Sequence, residues 1–206
     1  MRITGLRPQK RNPRRISVYL DGAFAFSISQ ELASELGLKK GLAIDRQRLE
    51  ELIQKERLRK CQDYALLLLS YRARTKAELA GRLERKGYPK EVVSAVVGRL
   101  EELGLLDDAA FARAFTEDRI NIGHKGKWRV RAELMKRGVD RKEIEAALKE
   151  APDETEAARM VVQHYQSRYR RLDPKTRKRR LYGLLARRGF STETIQTVLG
   201  IEESET

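Results

Sequence analysis

Lys125, Lys127, Arg129 and Arg131 gather in a glycine-bounded turn and in the first turn of the helix expected after it. A helix macrodipole disfavours cations at its start, so the cluster offers the fold no evident advantage and points to an anionic ligand. The same chemistry recurs in Lys175, Arg177, Lys178, Arg179 and Arg180 behind an Asp173-Pro174 helix start, where a solvated charge run is the alternative. Arg72, Arg74 and Lys76 flank Thr75 at the corresponding place further upstream. Trp128 stands inside the middle cluster. Exposed, it would stack on a base or anchor a protein contact; buried, it would pack at a junction between repeats.

Catalysis finds little to work with. His124 and His164 are the only histidines, and neither has a histidine or cysteine partner at metal-ligand spacing. Asp107-Asp108 could pair carboxylates around Mg²⁺, but a helix cap accounts for the pair better, because a short side-chain oxygen accepts orphan amides and suits the positive end of the dipole. No phosphate-binding G-x-x-x-x-G-K-[ST] loop, G-x-S-x-G elbow or paired CxxC occurs. No enzyme, metal or cofactor is expected.

The elements that must carry the cations repeat. Leu83-Glu84-Arg85-Lys86-Gly87-Tyr88 returns 51 residues later as Leu134-Met135-Lys136-Arg137-Gly138-Val139 and, after another 51, as Leu185-Ala186-Arg187-Arg188-Gly189-Phe190. Each copy reads as a helix end, with Leu79, Val130 and Leu181 one turn further back on the same face and a glycine suited to a left-handed cap. The paired cations before each glycine fit dipole capping and ligand binding equally well. Beyond each glycine, Val93 and Val97, Ile144 and Leu148, and Ile195 and Leu199 form matching i,i+4 stripes. One supersecondary unit therefore appears three times, and stacked repeats would align the starts of their second helices on one side, the expected binding face.

Around this array, Ile16, Val18 and Leu20 alternate before an Asp21-Gly22 hairpin turn, and Phe24, Phe26 and Ile28 alternate after it. A further strand is expected near residues 2–7, with a charged loop over 7–15. Ser29 should cap a helix that runs to about Leu36, and Leu42–Lys60 reads as a second helix. Asp63–Tyr71 is apolar enough all round to be the most buried helix. Thr75 with Glu78, and Asp140 with Glu143, read as capping boxes. The divisions expected are an α/β cap over 1–48, a linker helix and first repeat over 49–106, a second repeat over 107–152, and a third repeat with an acidic tail over 153–206. The fold expected is mainly α: three tandem three-helix repeats in an elongated array behind a small N-terminal β-hairpin and α cap.

The net charge is +14, with +7 in residues 1–60 alone, which favours an acidic partner such as nucleic acid or a nucleoprotein. Cys61 is the only cysteine, so no internal disulfide can form. No signal-peptide core is evident and the longest apolar run, Ala65–Leu69, is far too short to cross a bilayer. A cytoplasmic monomer is expected.

Tyr64-Ala65-Leu66-Leu67-Leu68-Leu69-Ser70-Tyr71-Arg72, Glu78-Leu79, Arg82-Leu83, Lys86-Gly87-Tyr88, Leu103 to Asp108 with Phe111-Ala112, and Gly126 through Glu133-Leu134 to Gly138-Val139 together resemble the recombination regulator RecX family. Tyr19-Leu20-Asp21-Gly22 and Phe24-Ala25-Phe26-Ser27 are similar to the N-terminal extension of its longer members. Ala73 stands where relatives often have proline, and the third repeat matches only through its second and third helices. The resemblance implies a curved modular array that binds RecA nucleoprotein filaments and modulates recombinase activity, usually by inhibition, with DNA binding of varying strength. It transfers no catalytic residue. A basic protein that acts on DNA directly through phosphate contacts is the competing expectation, and its affinity would fall by about 0.9 log units per log unit of salt for each phosphate contacted on duplex DNA.

Overall fold

A computed structural model describes residues 1–200; Ile201 and the acidic tail after it lie outside the described residues. The chain forms two compact units, one of Met1–Tyr71 with Leu83–Gly98, the other of Arg72–Arg82 with the chain from Arg99 onward.

In the first unit, β1 (Ile3–Gln9), β2 (Asn12–Leu20) and β3 (Ala23–Ser29) make an antiparallel sheet in the order β1-β2-β3. Asp21 and Gly22 both take positive φ, 48° and 90°, as a two-residue hairpin turn of the primed type requires. The charged loop expected over 7–15 is absent, because β1 reaches Gln9 and β2 begins at Asn12. Both prolines fit strands here: Pro8 lies on the edge strand beside a bulge, and Pro13 lies beyond Arg15↔Ser29, the outermost pair of β2 with β3. A bulge in the pairing of β2 with β3, between Val18 and Tyr19, sets Phe24 opposite Tyr19, so Phe24 is exposed while Phe26 and Ile28 face inward as expected.

Ser29 caps α1 (Gln30–Glu35), its hydroxyl accepting from the Leu32 amide at 3.2 Å. The two helices expected over 42–60 and 63–71 are one, α2 (Arg46–Tyr71), capped by Asp45 through the Arg48 amide at 2.7 Å. No glycine or proline interrupts residues 46–71, and propagation of an existing helix is easier than a new start. The apolar end of α2 is not the most buried helix. Cys61, Ala65 and Leu68 make a single buried stripe, whereas Leu67 is 48% and Tyr71 74% exposed. Ile3, Val18, Leu20, Ile28, Leu32, Ile44 and Leu52 form the core under the sheet. Glu56 is buried beside it, with Arg15 at 2.8 Å and the Ser29 amide donating to it at 3.2 Å.

Both α3 (Lys76–Arg85) and α4 (Lys90–Glu102) contribute residues to each unit. The second unit continues with α5 (Asp108–Asn121), α6 (Lys127–Lys136) and α7 (Arg141–Glu150), which pack on one another, and with α8 (Thr155–Gln166), α9 (Pro174–Arg188) and α10 (Thr192–Leu199), which do the same. Val130, Leu134, Ile144, Leu148, Leu185 and Ile195 are buried as the i,i+4 stripes require, within one core shared by the two triads. Gly87, Gly138 and Gly189 end α3, α6 and α9 at φ of 98°, 76° and 85°. The fold is thus mainly α, with tandem three-helix repeats behind a small N-terminal sheet.

The caps differ in detail from those expected. Thr75 Oγ1 accepts from the Glu78 amide at 3.1 Å, but the Glu78 carboxylate serves Arg72 and Arg137. Asp107 caps α5 through the Ala110 amide at 2.8 Å, whereas Asp108 accepts from the Lys76 amide at 2.8 Å and so caps α3. Asp140 caps α7 through the Lys142 amide at 2.8 Å, and among the described residues Glu143 Oε2 is buried without a hydrogen-bond partner.

Candidate functional site

The candidate cations all lie in the second unit, and the starts of the three second helices are not equivalent. The start of α3 is docked on the glycine-capped end of α6: Thr75 Oγ1 donates to the Arg137 carbonyl at 2.6 Å, and a Cβ on Gly138 would overlap that of Ala77. The start of α6 is docked on the end of α9 in the same way. Gly126 N donates to the Arg188 carbonyl and Trp128 N to the Gly189 carbonyl, both at 3.0 Å. At each junction a buried carboxylate from the start of the next repeat's first helix takes the intervening amide, Asp108 from Lys76 at 2.8 Å and Glu154, just before α8, from Lys127 at 2.5 Å. Burial pushes the Asp108 pKa up, against the opposing pull of the Lys76 amide.

In the 51-residue register Arg177 stands where Thr75 and Gly126 stand, yet α9 has already begun at Pro174, three residues earlier. Arg177 therefore lies inside a helix, its amide bonded to the Asp173 carbonyl at 2.9 Å.

Among the candidate cations around the first two starts, Arg72, Lys76, Lys125, Arg129 and Arg131 are paired with acids, contrary to the expectation that they bring the fold no advantage, while Lys127 is bonded through its backbone amide. Arg72 meets Glu78 at 2.9 Å and Lys76 meets Glu101 at 2.9 Å, while Arg74 is half-buried. The Glu101 hydrogen bond holds the Lys76 pKa above its ordinary value. Lys125 at 2.8 Å, Arg129 at 3.1 Å and Arg119 at 3.1 Å converge on Glu133. Arg131 binds Glu145 through two hydrogen bonds of 2.8 Å. Arg131 also lies 4.7 Å from the centre of the Trp128 ring, which is 61% exposed. Trp128, Arg131, Met135, Arg141, Ile144 and Glu145 line an open pocket of about 390 Å³. Only the backbone of Trp128 enters the repeat junction; its indole faces outward.

The third start differs. Lys178 Nζ donates to the Gly200 carbonyl at 2.9 Å, and among the described residues no carboxylate pairs with Lys175, Arg177, Arg179 or Arg180. Asp173 is taken by the cap, accepting from the Thr176 amide at 2.9 Å, which holds its pKa below the usual range.

Among the described residues no group of His, Cys, Asp and Glu could hold a metal ion, and no helix is long and apolar enough to cross a membrane. Four family models match the chain in order: the regulatory protein RecX N-terminal domain over residues 1–45, and the first, second and third three-helix domains of RecX over 61–100, 107–148 and 152–199. A regulatory protein RecX of Clostridium botulinum (strain Alaska E43 / Type E3) is 31% identical over 202 residues, covering 96% of this chain and 94% of its own. The chain belongs to the RecX family. A regulatory protein RecX of Lactobacillus delbrueckii subsp. bulgaricus is 33% identical over 198 residues, covering 95% of this chain and 73% of its own. A crystal structure of a regulatory protein RecX superposes with a TM-score of 0.77 at 26% identity, over 96% of this chain and 98% of that one. The third-repeat match covers its first helix as well, α8 included, which the motifs alone did not reach.

In this RecX chain the cations before the capping glycines have a role beyond the dipole. Lys86 lies 5.4 Å from the Tyr64 ring, Arg137 4.9 Å from Phe115, and Arg188 5.9 Å from Tyr165. Each aromatic belongs to the first helix of the same repeat, and the near-51-residue spacing of 64, 115 and 165 was the available signal.

Glu133 makes a checkable case. Burial would raise its pKa, but hydrogen bonds from Lys125, Arg129 and Arg119 outweigh that and hold it below the usual glutamate range. A carboxyl whose folded pKa is depressed stabilises the fold above its unfolded pKa and loses that contribution as pH falls through the folded value. Glu133→Gln is expected to destabilise by about 1–2 kcal/mol at neutral pH, with the gap to the parent closing below about pH 4.5. Urea unfolding at several pH values measures this; a gap that is constant down to pH 3 would contradict it.

Proposed function

We propose that this chain is a non-enzymatic regulator of homologous recombination, which binds RecA nucleoprotein filaments and lowers recombinase activity. The observation that carries the reading is the ordered match of all four RecX domain models along the chain. A net charge of +14 suits a filament whose surface and DNA are anionic. Binding in the filament groove or at its end would block subunit addition or strand exchange without any catalytic group. The reading includes a cytoplasmic monomer, weak salt-sensitive DNA binding, and the division into a cap over 1–48 and repeats over 49–106, 107–152 and 153–206.

The contact residues assigned to the filament are Arg72, Arg74 and Lys76, Lys125, Lys127, Arg129 and Arg131, and Lys175 with Arg177–Arg180, around Trp128. An exposed indole beside Met135 and a pocket is the type of residue that anchors a protein interface. Trp128→Ala is expected to change stability by less than about 1 kcal/mol and to weaken filament inhibition by about 2 kcal/mol. Unchanged inhibition by a normally folded W128A would remove the indole from the interface.

The decisive experiment titrates the chain into RecA hydrolysing ATP on single-stranded DNA, beside a titration of free DNA. Inhibition well below the concentrations that coat free DNA supports filament binding. Inhibition only at DNA saturation would replace it with competition for the strand.

A further inference from the structure

Between Arg168 and Arg180 stand eight arginines and lysines and one acidic residue, a net +7 and half the charge of the whole chain. The segment joins α8 to α9 and includes the first two turns of α9. At the starts of α3 and α6 the fold supplies carboxylates to most of the clustered cations, through Glu78, Glu101, Glu133 and Glu145. Here it supplies none among the described residues, and Asp173 is already engaged by the helix cap.

The connection is also built. Tyr169 stacks on Tyr165 at 6.2 Å between ring centres, its amide bonds back to the Tyr165 carbonyl at 3.3 Å, and the Leu172 amide bonds to the Tyr169 carbonyl at 3.1 Å. These bonds anchor the backbone that carries the cations. Arg168, Arg170 and Arg171 are exposed along it, and Lys175, Arg179 and Arg180 are exposed on α9, whose opposite side is fixed by buried Leu181 and Leu185.

Like charges this dense repel one another, and those in the first turn of α9 also oppose its dipole, so the arrangement disfavours folding unless a counter-anion is present. A polyanion with regularly spaced charges matches an extended row of cations, and the counterions it releases on binding drive association. We infer that residues 168–180 form a nucleic-acid contact surface that grips backbone phosphates without reading sequence. The paired clusters around α3 and α6 are left to structure and protein contact. The residue types suit phosphates: the polar side chains of residues 168–180 are mostly cations, and no asparagine or glutamine stands among them to read an adenine edge. The inference rests on the reading of the chain as a regulator that acts on a nucleoprotein filament, and assigns the nucleic-acid part of that contact.

The test uses the full chain with Arg170, Arg171, Arg179 and Arg180 all replaced by Gln, and a second variant with all four replaced by Lys. The probe is a fluorescein-labelled oligonucleotide of mixed sequence, single-stranded or duplex, titrated over a range of NaCl. The Gln variant is expected to bind at least about tenfold more weakly, with its log–log salt slope on duplex reduced by about 0.9 for each phosphate it no longer neutralises. The Lys variant should keep most of the affinity and the slope, since a point charge suffices for phosphate. Wild-type affinity and slope in the Gln variant would overturn the inference. So would loss of RecA inhibition by a Gln variant that still binds the oligonucleotide normally, because the surface would then contact recombinase protein. If the Gln variant loses oligonucleotide binding while even the parent chain fails to inhibit RecA, this surface stands and the filament reading falls.

Discussion

Gly126→Ala is expected to cost about 3 kcal/mol or more, and to lower the melting temperature of the unit that holds α5 to α10 by roughly 6–12 °C. The reason lies at the junction of the second and third repeats. A Cβ at residue 126 would overlap the Gly189 carbonyl and the Phe190 amide, both backbone, so no rotamer change relieves it. The Gly126 and Trp128 amides would be drawn from the Arg188 and Gly189 carbonyls they now reach at 3.0 Å. Gly87→Ala provides the contrast. Its φ of 98° is awkward for alanine, but nothing lies within 4 Å of the added carbon. Only the backbone penalty, about 1–2 kcal/mol, should appear there. Equal losses for the two variants would mean that close approach at residue 126 contributes little.

Glu154→Ala should be comparably severe, at about 3–5 kcal/mol. Glu154 is 4% exposed and accepts from the Lys127 amide at 2.5 Å, the Ser191 amide at 2.9 Å and Thr194 Oγ1 at 3.1 Å. Truncation leaves three part-buried donors without an acceptor, whereas Glu154→Gln keeps one oxygen and should lose about half as much. Urea midpoints at unchanged slope give the energies, and faster amide exchange at Lys127 and Ser191 would locate them. Wild-type protection at both amides in E154A would show that the carboxylate is not their essential partner.

Much of this was legible in the chain itself. A 51-residue period, i,i+4 leucines and a glycine past each helix end specify local geometry, and local geometry is what hydrophobic spacing and caps encode. Asp21-Gly22 likewise announces its turn. What escaped was set by partners distant in sequence. Arg129 with Glu133 is an i,i+4 pair and could have been read. Arg131 with Glu145 needs α6 packed on α7, and Asp108 reaches the Lys76 amide across 32 residues. The bulge that turns Phe24 outward leaves no mark in an alternating pattern. For the candidate site, residue types were right to point at charge, but only folding sorts cations held by carboxylates from those without them.

The early start of α9 also bears on where a repeat could be inserted. Each junction needs a small or capping residue at a helix start to receive the next repeat, and Thr75 and Gly126 provide it. Arg177, enclosed by the extra turn from Pro174, offers no such receptor. A duplicated copy of the second repeat spliced between 106 and 107 would find compatible surfaces on both sides, but a copy appended after residue 200 would find none. Tandem duplication of the array is therefore easier in the interior, where Thr75 and Gly126 receive a neighbour, than against the start of α9.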